Sequence, residues 1–215
     1  MNKKVVLAHG YLRTYKDMDD LKINLEKLGY EVMLVDLPLT FSNIEYAASI
    51  FEKDINQLIT NLEDNEKISL VGHSAGGLVI RLFLNNTINI DKIHRCVLIA
   101  TPNKGCQLAE IASRISRTFI NIFQTLKSLK YEKIKKLNLS YNKNIEIGVI
   151  AGNKNDLLLG KLLNTDNDGR VEIDSALYEE AKDYIIVPLN HRKIHHDFEI
   201  ARKIDNFLES GSFSQ

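Results

Sequence analysis

Apolar positions in this chain come in two alternating rhythms. Short continuous runs centre on residues 4–8, 31–35, 68–71, 95–100, 145–151 and 184–189, the lengths expected of strands buried on both faces. Between them apolar residues recur three and four apart, as in Met18, Leu21, Leu25 and Leu28, and again in Ile44, Ala47, Ala48, Phe51, Ile55, Leu58 and Leu62. A last stripe holds Phe198, Ala201, Ile204 and Leu208. Strands alternating with amphipathic helices predict an α/β fold: a mostly parallel sheet of at least six strands with helices on both faces. One stretch breaks the alternation. From Leu108 through Ile111, Ala112, Ile115, Phe119, Ile122, Phe123 and Leu126 to Leu129, helical spacing continues for about six turns with no strand between. The tail from Ser210 to Gln215 lies past the last stripe and is expected to fray.

Composition narrows the reading in a few places. At 215 residues and 44% hydrophobic content the chain suits a single domain, 1–215, with one sizeable core. Lysine plus arginine equal aspartate plus glutamate, so no global charge draws it to nucleic acid. Charge is uneven, however: residues 104–143 hold nine basic side chains against Glu110 and Glu132. A basic amphipathic helix there could meet an anionic membrane surface, or be a core-packing helix with a solvated basic face. The opening Met1-Asn2-Lys3-Lys4 runs directly into the first strand, without an apolar leader. Together with only two cysteines, this sets the expectation of a reducing cytoplasm.

The densest chemistry lies at Gly72-His73-Ser74-Ala75-Gly76-Gly77, a G-x-S-x-G pattern with a strand before it and a helix after. A chain that turns from strand to helix at a serine strains that residue and projects its hydroxyl outward. The flanking glycines leave room for so tight a turn. An activated serine needs a base, an acid to orient the base, and donors for the oxyanion. On such an elbow the donors are two backbone amides, one after the first strand and one after the nucleophile. Here they are Tyr11 and Ala75, with Gly10 letting the first loop bend back. The acid and base follow the serine in chain order. Asp168 and His191 both fall at carboxyl ends of strands, where open parallel sheets place their sites. Asp156 and Asp166 compete as acid, and His195 and His196 as base. A metal site at His195 and His196 would need carboxylate or thiol company that is not evident in the sequence, so none is expected there. His9 is expected to brace the first loop, His73 to pack or bond backbone, and His94 to lie at the surface.

Six stretches then carry a family likeness. They are Val5 to Gly10; Gly29-Tyr30-Glu31-Val32 with Asp36-Leu37-Pro38; Gly72 to Gly77; Ala100 to Gly105; Asp168-Gly169-Arg170-Val171; and Pro188-Leu189-Asn190-His191. In this order the chain resembles the α/β-hydrolase superfamily, and within it small bacterial lipase and esterase-like proteins. The resemblance implies Ser74 as nucleophile, Asp168 as acid and His191 as base. It implies cleavage of carboxylic esters, from small molecules or lipids, through an acyl-enzyme and without a cofactor. Acyl transfer or thioester cleavage on the same machinery stays open, as does a binding protein that kept the fold. The family's insertion point makes 104–143 a helical cap, with Ile115, Phe119 and Ile122 the candidates to face the substrate chain. The sequence departs from the family twice. His191-Arg192-Lys193 stands where secreted lipases often carry a calcium-binding aspartate, so no metal is expected. Cys106 replaces a more usual serine.

Overall fold

The computed structural model describes residues 3–139 and 145–214. Its strands are β1 (Lys4–Ala8), β2 (Glu31–Val35), β3 (Ile68–His73), β4 (Ile93–Ile99), β5 (Glu146–Gly152) and β6 (Asp183–Val187). They form one sheet in the order β2-β1-β3-β4-β5-β6, and every pairing is parallel. All six carboxyl ends therefore lie along one edge. The apolar runs foretold these strands to within about two residues at either end.

Strand side chains alternate between two helical layers, as the period of two requires. Val6, Ala8, Leu70, Cys96 and Leu98 face α2 (Ile44–Ile59) and α3 (Ala75–Asn86). Val5, Leu7, Val71, Val97 and Ile99 face α1 (Asp19–Lys27) and α9 (Phe198–Ser210). Helix α2 begins at Asn43, whose side chain accepts from the Tyr46 amide at 2.8 Å, an N-cap that supplies an acceptor the helix itself lacks. The three-layer arrangement follows from the pattern of the strands alone.

Two expectations fail. The apolar stripe from Leu108 to Leu129 is not one helix but α4 (Gln107–Ile115), α5 (Arg117–Ile122) and α6 (Gln124–Ser128), followed by α7 (Tyr131–Lys136); a short α8 (Ile173–Ala176) comes later, between β5 and β6. Ser116 breaks it first: its backbone is extended and its hydroxyl caps α5 at the Phe119 amide, 3.1 Å away. The serine side chain thus competes with the helix. The chain also turns back on itself, because α6 is tied to the start of α2. Thr125 Oγ1 donates to the Ser42 carbonyl at 2.6 Å, and the Cys106 amide donates to the Leu129 carbonyl at 2.8 Å. Periodicity recorded which side chains are buried, and not that the axis runs straight. The end of the expected insertion, including Lys143, lies outside the described residues.

The tail does not fray either. Phe213 is fully buried and stacks on Phe207, with ring centroids 4.9 Å apart. Its amide donates to Asp183 Oδ2 at 2.7 Å, and Gly211 supplies the left-handed turn that sends the chain back after α9 (φ 80°). A lone aromatic in a polar tail gave no periodic signal. Replacing Phe213 by Ala leaves a cavity and is expected to lower the unfolding free energy by ~3 kcal/mol, read as a shift of the urea midpoint. A change below ~0.5 kcal/mol would mean the tail is dispensable.

Candidate active site

The site forms where β3 passes into α3. Ser74 sits between them with φ 54° and ψ −125°, a conformation that side chains other than glycine's rarely adopt. Two hydrogen bonds hold the bend: the Ser74 amide donates to the Ile99 carbonyl (2.8 Å) and the Gly77 amide to the Ser74 carbonyl (3.0 Å). Three glycines make it sterically feasible. A Cβ on Gly72 would lie 2.6 Å from Gly77 Cα, one on Gly76 would strike the carbonyls of Ala8 and His9, and one on Gly77 would strike Thr101. The helix thus rests directly on the backbone of β1 and on the turn after β4.

The loop after β1 closes over the serine. A Cβ on Gly10 would come within 3.0 Å of Ser74 Cβ, so only glycine gives this approach without displacement. The backbone N–H groups of Tyr11 and Ala75 donate to no acceptor among the described residues. His9 is buried and spans the loop. Its Nδ1 donates to the Gly10 carbonyl (3.0 Å) while Nε2 accepts from the Leu37 amide (2.9 Å). Those partners define the neutral tautomer, and burial holds the imidazole below its ordinary pKa.

Asp168 and His191 reach the serine from the loops after β5 and β6. His191 Nε2 lies 3.0 Å from Ser74 Oγ, and Nδ1 lies 2.7 Å from Asp168 Oδ2. The other Asp168 oxygen accepts from the amides of Arg170 (2.9 Å) and Val171 (2.8 Å). Gly169 provides the positive φ of 94° on which that turn depends. The His191 amide donates to the Asp168 carbonyl at 2.9 Å. Acid and base are therefore fastened to each other by backbone as well as side chain. All three side chains are buried, so this alignment is held in a medium where charge and dipole count for more than in water.

The rivals lie elsewhere. Asp156 accepts from the side chain of Asn190 at 2.6 Å and does not meet His191. That bond, ahead of the neighbouring Lys154, holds its carboxyl below the usual range. Asp166 contributes its backbone carbonyl to the Ile173 amide. His94 is partly buried at the amino end of β4, the opposite edge of the sheet. His73 packs between His191 and His195, its Nε2 donating to the His191 carbonyl at 3.1 Å and its ring stacked 3.9 Å from that of His195. His195 Nε2 lies 3.1 Å from Asp17 Oδ2, and His196 Nδ1 lies 2.8 Å from Asp20 Oδ2. The expected lack of carboxylates near these two histidines is thus corrected. The fold brings them from the far end of the chain, where no local reading could find them. Asp17, His195 and His196 place their ligand atoms within 4.8 Å of one another, a group of the described residues that could hold a metal ion.

A cavity of ≈ 340 Å³ opens on Ser74. Ile111 and Ile115 of α4, Phe119 of α5 and Leu126 of α6 line it, with Leu159 and Leu162 from a 3-10 turn, Leu158–Leu162, in the loop that carries Asp168. Ile115 and Phe119, two of the three candidates for the substrate chain, are among these lining residues. Ile122 is not: it lies outside the cavity, about half exposed (53%), because the break at Ser116 turns α5 relative to α4. The leucines were missed, although the cluster Leu157-Leu158-Leu159 between strands was a visible signal. Cys106 lines the cavity as a thiol, since burial pushes its pKa to about 12.

With this geometry in hand, comparison with known proteins is decisive for the family. Residues 38–184 match the PGAP1-like alpha/beta domain. The chain belongs to that family. Methylesterase 3 of Arabidopsis thaliana is 36% identical over 89 residues, a match spanning 38% of this chain and 33% of the plant protein. The chain thus spans about a third of the length of that relative. A Bacillus licheniformis lipase in its propeptide form superposes with a TM-score of 0.86 at 19% identity, over 96% of this chain and 50% of that one. A metagenomic carboxyl esterase gives 0.80 at 17% identity, over 98% and 76%. At such identities the likeness is one of fold, and the fold is the α/β-hydrolase fold. Among the described residues no helix is long and apolar enough to cross a membrane.

The histidine stack leads to an expected pH dependence of stability for this PGAP1-like domain. Burial holds His73 well below the ordinary imidazole value, with His195 and His191 adding to the shift, and burial likewise lowers His195. Such groups stay neutral when folded but take up protons when unfolded. Their contribution is intact above pH ~6.5 and is lost as pH falls toward the folded value. The unfolding free energy is expected to drop between pH 7 and 5, with a shallower slope in His73→Asn. An unchanged slope would place the acid sensitivity elsewhere.

Proposed function

We propose that this chain is a serine hydrolase that cleaves carboxylic esters, with Ser74 as nucleophile, His191 as base and Asp168 as the acid that orients it. The observation that carries this is the continuous line Asp168–His191–Ser74, with contacts of 2.7 and 3.0 Å. A binding protein has no need of such an alignment at a strained serine.

The chemistry follows from the partners. Asp168 accepts at Oδ2 from His191 Nδ1, which leaves the Nε2 lone pair facing Ser74 Oγ. As Oγ bonds to the ester carbonyl carbon, its proton moves to Nε2. The carbonyl oxygen becomes an oxyanion, held by the N–H groups of Tyr11 and Ala75, each worth ~3 kcal/mol in the transition state. The intermediate collapses, the carbon–oxygen bond to the alcohol breaks, and Nε2–H protonates the departing alcohol. Water then gives a proton to Nε2 as it attacks the acyl-serine, and when the carbon–Oγ bond breaks to free the acid, Nε2–H returns that proton to Ser74 Oγ. Two backbone amides on Asp168 Oδ1 keep its charge facing the imidazolium. The methylesterase, lipase and esterase named above are consistent with this class of reaction.

In this reading 1–215 is one domain and 104–143 its cap. The acyl chain lies along the apolar side of the cavity, against Ile115 and Phe119. The two acids of the cap, Glu110 and Glu132, both pair with Lys130, and of its remaining bases Lys104 pairs outside the segment with Glu179. The cap's remaining charge is a candidate for peripheral contact with anionic lipid.

Ser74→Ala is expected to abolish ester hydrolysis and fluorophosphonate labelling while unfolding stays cooperative. His191→Ala and Asp168→Asn should each lower kcat by about 10³-fold or more, against small effects of His195→Ala and Asp156→Asn. A crippled Asp156→Asn beside an active Asp168→Asn would reassign the acid. Adding alcohols to the assay separates hydrolysis from acyl transfer by product.

Chain-length preference tests the cavity wall. Each buried methylene contributes ~0.8 kcal/mol, so Phe119→Ala should reduce kcat/KM for octanoyl esters several-fold more than for acetyl esters. An equal loss on both, with a lower melting temperature, would make Phe119 a packing residue.

A further inference from the structure

The charges around the cavity are one-sided. Arg13, Arg170 and Arg192 line it, and Asp17 is the single carboxylate among the lining residues. Asp17 is already engaged, with Oδ1 3.3 Å from Arg13 Nε and Oδ2 3.1 Å from His195 Nε2. Asp168 lies beneath, its two oxygens taken by the Arg170 and Val171 amides and by His191. Among the described residues, neither Arg170 nor Arg192 has a carboxylate within 4 Å or a side-chain hydrogen bond. Arg170 is partly buried, and burial together with the nearby Arg192 and Arg13 pulls its guanidinium below the usual pKa. Gathering unmatched cations beside a largely apolar cavity is unfavourable by itself.

Their backbones are tied into the loops that carry Asp168 and His191. The Arg170 amide is one of the two donors to Asp168 Oδ1, and Arg192 directly follows the base, its amide donating to Asn190 Oδ1 at 3.1 Å. Two guanidiniums on such anchors line the same cavity as Ser74, Ile115 and Phe119. A planar guanidinium offers paired donors that match a carboxylate or a phosphate.

We propose that the ester cleaved at Ser74 bears an anionic group, a carboxylate or phosphate on its alcohol portion, which Arg170 and Arg192 receive with Arg13 at the rim. This rests on the hydrolase reading, and it divides the cavity in two: the cap leucines, isoleucines and Phe119 take the acyl chain, the arginines take the charge. Neutral esters remain substrates but lack that hold.

Two measurements test it. The first compares butanoate esters of 4-hydroxybenzoate and 4-hydroxybenzamide, alike in shape and differing in charge. The carboxylate ester should show about tenfold higher kcat/KM through a lower KM, the size of one or two charge-assisted hydrogen bonds. That preference should shrink with added salt and fall toward unity in R192Q and R170Q. R192Q replaces an exposed side chain and so guards against a variant that fails to fold. The second titrates Ser74→Ala protein with hexyl phosphate, hexanoate and hexanol. Salt-sensitive binding of either anion over hexanol, lost in the arginine variants, supports the site, and the stronger of the two identifies its group. Equal use of both esters, or anions binding no better than hexanol, overturns the proposal. Anion binding without turnover of either ester would keep the anion site and overturn the hydrolase reading instead.

Discussion

The structure turns on one close approach. The first residues of α3 lie against the carbonyls of Ala8 and His9 so tightly that Gly76 has no room for a Cβ. Because the helix cannot stand off, the chain must reverse direction within a single residue, and Ser74 takes the left-handed conformation that results. Residues beside a strained position have to hold it there. The Ile99 carbonyl does so from β4, and the absence of side chains at Gly72 and Gly77 does so from within. The same contact presses Gly10 onto the serine. Strain, loop and hydroxyl are set by one packing event.

From that point the site is built by parallelism. In a sheet whose strands all run one way, the loops after β1, β3, β4, β5 and β6 emerge together, as open α/β sheets require. Segments more than a hundred residues apart in sequence become neighbours without long excursions. Their contacts are backbone contacts wherever precision matters: two amides grip Asp168, and its own carbonyl grips the His191 amide. Asp156, the competing acid, acts one step away by holding Asn190, whose side chain caps the turn carrying His191.

The sheet, its helices and the meeting of Ser74, Asp168 and His191 were legible because each leaves a local mark. Strands and helices repeat with their own periods, the elbow needs glycines at fixed offsets, and acid and base fall where strands end. What was illegible is what depends on distant parts. Phe213 looked like part of a polar tail because its partners, Phe207 and Asp183, come from other elements. The carboxylates beside His195 and His196 come from Asp17 and Asp20, at the other end of the sequence. Ile122 kept the apolar rhythm yet fell outside the cavity, since a rhythm does not report a break at Ser116.

That break has a consequence for how the cavity is reached. Helices of five to nine residues are too short to persist on their own, because nucleation consumes what so few internal bonds return. This segment of short helices therefore owes its order to docking, through ties such as Thr125 to Ser42 and Cys106 to Leu129. Opening of this segment would be a local melting rather than an unfolding of the sheet and long helices. A chain of apolar carbons entering beneath it would act as a missing piece of core, so the occupied state is the more solid one and the empty state the more fluid.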